Sequence, residues 1–423
     1  MAPIPNPYKI SVSDAKLSWI TERIKSAHVI PDVEHPTGQE WADGPPSTVV
    51  QDLVDFWRDS YDWRKVEAQL NVTFPMFTVP IEDPQSGQVM TVHFVHKRSS
   101  RPNAVPLLYV HGWPGSFVEV STIKRFNRYS SSRCQVEGIL ERLTEPEEPN
   151  TQAFHVVAPS IPGFTFGAPP TRSGFTVLDI AFLFNKLMVD VLGYRSYIAQ
   201  GGDWGAGIIR TLATEHPLSC IAAHTNFPQA FGPPSPLKHP IAFLWVITQW
   251  FSASEKARFD RMMAWFKGDM GYAFIQGEKP QTISYALLDS PVGMLTWIYD
   301  KVYRLVDREV FTWEKERIIT WTMLYLVSEN AAHARIYKDN MATVGEVKVV
   351  GRGVPFGVSA FPHDTGYVPR WWAQVSVAEN ITFWREHERG GHYPTLECPD
   401  LFVKDIRDFM ATVPKECLAK LQA

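Results

Sequence analysis

A chain of 423 residues with 45% hydrophobic and 20% charged residues has the make-up of a soluble globular protein and can bury a large core. Its formal net charge of −4 implies no broad basic surface of the kind that neutralising several phosphates demands, so no nucleic-acid partner is expected. Aromatic residues make up 13%, with 15 Trp, a share that suits an aromatic-lined interior or pocket.

The opening "MAPIPNPYKISVSDAKLSWI" has neither a charged start with an apolar core nor a span long enough for a bilayer. A cytoplasmic protein without a stable membrane anchor is therefore expected. Cys134, Cys220, Cys398 and Cys417 are scattered without C-x-x-C spacing, which fits reduced thiols and neither zinc nor disulfides. Residues 1–85 read as an N-terminal helical extension. In "SVSDAKLSWITERIKSAHVI" Leu17, Ile20, Ile24 and Val29 fall near helical spacing, "STVVQDLVDFWRDSYDWRKVEAQLN" repeats the pattern, and a Ser start is expected to cap each. The Pro- and Gly-rich "VEHPTGQEWADGPPS" between them reads as a loop that wraps over a neighbouring unit.

From about residue 90 the pattern changes to short strands. "MTVHFVHKR" alternates, "VPLLYVHG" and "FHVVAPSIPGF" are nearly continuous apolar runs, and "SYIAQGGD" and "IAAHTNF" follow helical stretches. Strand, helix, strand implies parallel pairing, with reactive groups at the carboxyl ends, where His111, Ser160, Asp203 and Asn226 fall. Residues 228–351 break the rhythm with helix-forming, aromatic-rich stretches such as "HPIAFLWVITQWF" and "VGMLTWIYDKVYRLV", as expected of a lid over the strand ends. "VPFGVSAFPHD" and "NITFWREHERGGHYP" resume the strands, and "CPDLFVKDIRDFMATVP" closes with an amphipathic helix. The expected division is thus 1–85, a core of 86–227 with 352–423, and a helical cap of 228–351.

In "AQGGDWGAG" glycines permit a sharp strand-to-helix turn that holds Asp203 at its tip. Asp364 ends "SAFPHD" and His392 sits in "RGGHYP", so nucleophile, acid and histidine follow in the chain order of an α/β-hydrolase. A carboxylate attacking an electrophilic carbon makes an alkyl ester, which water activated by neutral imidazole can cleave. Asp364 would orient that imidazole, and the backbone amides of Trp113, in "HGWPGS", and Trp204 would receive the oxyanion.

"HGWPGSFVEV", "VVAPSIPGFTFG", "GGDWGAG", "GYAFIQGEKPQTISYALLDSPVGMLTWIYDK", "GVSAFPHD" and "RGGHYP", with "YDWRKVEAQLN" near the N-terminus, together resemble the microsomal-type epoxide hydrolases over nearly the whole chain. The resemblance implies an α/β-hydrolase fold: a mostly parallel central sheet flanked by helices, a helical cap and an N-terminal wrapping segment. It implies cofactor-independent opening of a small-molecule epoxide to a diol. It also implies that two cap tyrosines, at positions 272 and 337 here, hold the epoxide oxygen and supply a proton; a phenol suits that task because it stays protonated near neutrality. Asp364 stands where mammalian microsomal forms have Glu, and the segment 124–150 does not match the family pattern.

Rivals exist for several of these roles: His363 and His387 for the histidine, Glu386 and Glu388 for the acid, and Tyr285, Tyr299 and Tyr303 for the phenols. His111 reads as a structural group that holds the oxyanion loop. No metal site is expected, since His93 and His96 would point to opposite faces of a strand, and no Gly-rich nucleotide motif or G-x-S-x-G elbow occurs. On the same scaffold, a haloalkane dehalogenase, a cyclase that opens an epoxide with the substrate's own hydroxyl, or a binding protein without chemistry are the competing readings. A second copy of the chain is a candidate partner.

Overall fold

Val105–Val110, six buried apolar residues in succession, form β4, a strand covered on both faces as a parallel strand inside a sheet must be. In the computed structural model, which describes residues 3–83, 85–121, 138–328, 330, 332–342, 345 and 347–421, β4 lies near the middle of a nine-stranded sheet. The other strands are β1 (Asn6–Pro7), β2 (Met76–Glu82), β3 (Val89–Lys97), β5 (Phe154–Pro159), β6 (Tyr197–Gly201), β7 (Cys220–Thr225), β8 (Phe356–Ala360) and β9 (Ile381–Glu386). Their order is β1-β2-β3-β5-β4-β6-β7-β8-β9. From β5 to β9 neighbouring strands are parallel, while β1, β2 and β3 pair antiparallel along one side. This is the α/β-hydrolase fold.

The sheet begins earlier in the chain than expected, because β2 pairs along its whole length with the first seven residues of β3 and β1 adds to its outer edge. Pro80 within β2 lacks an N–H and so masks the strand pattern in the sequence. The N-terminal helices also differ in detail. The first, Asp14–Lys25, is capped by Ser13, whose hydroxyl accepts from Lys16 N, and it stops before Val29. The second pattern divides into Ser47–Asp59 and Trp63–Thr73. Ser47 is not a cap: Pro46 holds that position, and the Ser47 hydroxyl donates to Asp32 instead. Asp62 caps the third helix by accepting from Lys65 N.

The N-terminal segment packs on helices from the middle of the chain. Trp41 stacks on Tyr303 with ring centres 3.6 Å apart, Tyr61 shares a hydrogen bond with Thr320, and Arg23 pairs with Asp289. The helices Pro291–Leu305 and Lys315–Leu326 that receive it bury much of their length, including Leu295, Ile298, Ile319 and Leu324. Among the described residues no helix is long and apolar enough to cross a membrane. Cys134 and the part of 124–150 before residue 138 lie outside the described residues. The rest of that segment includes the short helix Ile139–Thr144.

Candidate active site

At the end of β6 the chain turns into the helix Trp204–Glu215, with Asp203 at φ 51° and ψ −128°. A non-glycine residue at positive φ is strained, and such strain is sustained where surrounding packing fixes it. Here close backbone approach provides the fixing. A Cβ on Gly205 would lie 2.1 Å from Val110 O, so the helix start can press on the end of β4 only because residue 205 is glycine. A Cβ on Gly112 would lie 2.2 Å from Asp203 Oδ1, which shows how closely the loop after β4 meets the turn after β6. Trp113 N donates to Asp203 Oδ1 at 2.8 Å.

The other two members arrive from the last two strands. His392 Nδ1 donates to Asp364 Oδ1 at 2.8 Å, and the same oxygen accepts from Thr365 N at 2.7 Å. That bond leaves Nε2 facing Asp203 Oδ2 at 3.7 Å. His392 is tied through its backbone as well, its N–H donating to Leu305 O. Asp203, Asp364 and His392, far apart in sequence, are thereby joined in one line.

The electrostatics follow from that line. Burial pushes the His392 pKa down, but Asp364 above all, with Asp203 and Glu119, outweighs it and lifts the value to about 9. For Asp203 burial wins: its pKa is raised even though the His392 charge and the amides of Trp113 and Trp204 favour the carboxylate. The neighbouring carboxylates therefore favour a proton on His392 in the resting site, and amide donors are already directed at Asp203.

In front of Asp203 lies a cavity of about 370 Å³. Its wall includes Trp113, Trp204, Phe227, Trp265, Tyr272 and Tyr337 together with His392, which makes it an apolar chamber with a few convergent polar groups. Tyr272 and Tyr337 stand edge to face with ring centres 5.7 Å apart. Burial first, and the nearby Asp203 charge after it, raises the pKa of Tyr272, and burial likewise carries that of Tyr337 well upward. Both stay protonated donors. Tyr272 also stacks on Trp113 at 4.8 Å, and Tyr337 stands edge-on to Trp204 at 5.0 Å.

The rival residues do not join this line, and Glu388 is exposed. His387 bonds Asp405 at 2.6 Å, and His363 faces Asp307 at 3.7 Å. Glu386 accepts from Tyr367, Tyr299 and Tyr303 pack against Trp41, and Tyr285 is 71% exposed. His111 holds its loop: Nδ1 bonds Gly112 O and Nε2 accepts from Ile161 N. Ser160 bonds His93, and Asn226 accepts from Gln200. Among the described residues no three His, Cys, Asp or Glu side chains are grouped to hold a metal ion.

One participant has no signal in the sequence. His333 Nδ1 accepts from the Trp113 indole at 3.0 Å, across 220 positions, and burial drives its pKa down to about 3, so it is the neutral acceptor the indole needs. That contact fixes the plane on which Tyr272 stacks.

Comparison with known proteins bears on the fold and the family. Residues 5–120 match the model of the epoxide hydrolase N terminus, and residues 105–259 that of the alpha/beta hydrolase fold. A Stigmatella aurantiaca protein, assigned by name only to the epoxide hydrolases, is 34% identical over 99% of this chain and 85% of its own. Epoxide hydrolase 1 of Sus scrofa is 28% identical over 97% of this chain and 89% of its own. The solved epoxide hydrolase of Aspergillus niger superposes with a TM-score of 0.79 at 31% identity, covering 97% of both chains. The juvenile hormone epoxide hydrolase of Bombyx mori superposes at 0.81 with 25% identity, covering 99% of this chain and 96% of that one. With its sheet, its turn at Asp203 and these relatives all in accord, the chain belongs to the epoxide hydrolases of the α/β-hydrolase superfamily.

Proposed function

We propose that the enzyme opens an epoxide to a vicinal diol through an alkyl ester on Asp203, which water deprotonated by His392 then cleaves. A free Asp203 oxygen attacks a ring carbon, the C–O bond of the ring breaks, and Tyr272 or Tyr337 protonates the departing alkoxide. Once His392 has released its resting proton to solvent, water adds to the ester Cγ and gives one proton to the freed Nε2, which passes it to the diol oxygen as the ester C–O bond breaks. The remaining carboxylic acid proton returns to the tyrosinate, and Asp203 is restored as a carboxylate. No cofactor is needed in this sequence. The helices between residues 240 and 340 act as the cap that carries both phenols.

The single observation that carries this reading is the alignment of Asp203, His392 and Asp364 beside a cavity that also contains two protonated phenols. It also favours an epoxide over a haloalkane. A leaving halide calls for indole donors, but the Trp113 indole is committed to His333, whereas phenols suit an alkoxide. The test is intact-mass analysis of His392→Gln after one equivalent of styrene oxide. The protein should gain the mass of the epoxide, located on the peptide containing Asp203. An unmodified protein that still makes diol would overturn the covalent route.

A further inference from the structure

Behind Asp203, on the side away from the substrate cavity, lies a second and much smaller chamber of about 10 Å³. That is roughly the space one water molecule needs. Its wall includes Tyr109, Glu119, Asn226 and Tyr393, and it shares only Asp203 and His392 with the cavity in front. Most of its lining residues carry a polar side chain. Asp203 and His392 thus form a partition, with an aromatic space for carbon on one side and a polar space for water on the other.

Glu119 is fully enclosed by the fold. Its Oε2 accepts from the Tyr109 hydroxyl at 2.9 Å and its Oε1 from Ser116 N at 3.0 Å. Ordinary helix capping explains the second bond, but it does not explain a carboxylate beside the chamber that contains the catalytic pair. Tyr393 adds an independent observation: its buried hydroxyl has no hydrogen-bond partner among the described residues. A buried hydroxyl in a polar chamber calls for a partner of water size.

We propose that this chamber seats the hydrolytic water and that Glu119 is its positioning residue, accepting one water hydrogen while His392 Nε2 accepts the other. The water oxygen is then left with a lone pair toward Cγ of Asp203, on the face opposite the bound substrate. The proton balance is that of the route above, since Glu119 accepts a hydrogen bond and gains no proton. Burial raises the Glu119 carboxyl to about 7, opposed by Tyr109 and the His392 charge; Asp203 adds to the rise, and forming the ester removes that contribution. The ester state thus favours Glu119 as the acceptor the water needs.

This proposal rests on the covalent route, and rapid-quench single turnovers with styrene oxide separate the two. Formation of the Asp203 ester and its breakdown to diol are followed in wild type and in Glu119→Gln, which keeps the size of the side chain and an acceptor for Ser116 N. Breakdown should slow at least about fivefold more than ester formation, with its acid limb displaced along the pH axis. A merely structural Glu119 would slow both steps alike, and a ratio below that margin overturns the proposal. Should Glu119→Gln not fold, Tyr109→Phe, which frees the Oε2 side of Glu119, is read by the same ratio. Absence of any ester in His392→Gln would instead remove the covalent route, and this proposal with it.

Discussion

His392 Nε2 stands 3.7 Å from Asp203 Oδ2, whereas its Nδ1 is bonded to Asp364 at 2.8 Å. The first separation is longer than a hydrogen bond and the second is a short, charge-assisted one. The imidazole is thus anchored from behind and unattached in front, as a base that must accept a proton from a third molecule should be. Asp203 in turn is held by an amide at Oδ1, which leaves Oδ2 available to attack carbon.

The pH dependence follows from who surrounds His392. Its pKa of about 9 owes part of its rise to the Asp203 charge, and an ester carries no charge. Once the ester forms, the His392 pKa falls and the neutral base becomes easier to populate. The acid limb of ester breakdown, measured by quenched single turnovers, is therefore expected with its midpoint below 9. A midpoint at 9 or above would contradict the role given to the Asp203 charge.

The same shift has a consequence for stability. The folded pKa lies above the ordinary 6.5, so the folded state binds the proton more tightly than the unfolded chain does. The stability this contributes is fully present below pH 6.5 and is lost as pH rises through about 9. Melting temperatures measured across that window should fall more steeply for the wild type than for His392→Gln. Parallel curves would mean that the buried charges do not couple to folding.

Tyr272 and Tyr337 should matter for ring opening and not for ester breakdown. Replacing either with Phe is expected to slow ester formation by roughly 10 to 100-fold, because one general acid and one hydrogen bond in the transition state are lost. The double variant should be slower than either single one but short of the product of the two effects, since the phenols serve one oxygen. Rapid-quench measurement of the ester checks this. A double variant that forms ester at the wild-type rate would contradict the assignment.

The turn at Asp203 makes a prediction about glycine. Gly205→Ala would push a methyl against Val110 O at 2.1 Å, and backbone on both sides leaves little room to yield. A loss of about 3 kcal/mol in urea unfolding, with slower ester formation, is expected. Gly207→Ala, in the same helix, has no atom within 4 Å of the added carbon and should instead gain about 0.5–1 kcal/mol. Equal effects at the two positions would show that close approach to β4 does not set the turn.

How much of this was legible beforehand depended on whether the signal was local. Asp203, Asp364 and His392 each follow a strand-like run, and their chain order suggested their grouping without any knowledge of distance. The strands from β3 onward were visible for the same reason. β2 was hidden because Pro80 interrupts its pattern, and the break at 60–62 was read through although Ser60 and Asp62 can end and start a helix. Tyr272 and Tyr337 had no distinguishing pattern among the other lid tyrosines, and only family resemblance separated them. His333 carried no signal, and Glu119 showed only the Ser-x-x-Glu spacing of a capping box with Ser116. One works through an indole 220 residues away, the other through a chamber formed by four separate stretches of chain.

The central claim is tested most directly by a single turnover in oxygen-18 water with enzyme in excess over styrene oxide. The oxygen delivered to carbon should come from Asp203, so the first diol should be unlabelled and the label should appear in the Asp203 carboxylate. Label in the diol from the first turnover, with Asp203 unlabelled, would contradict the account.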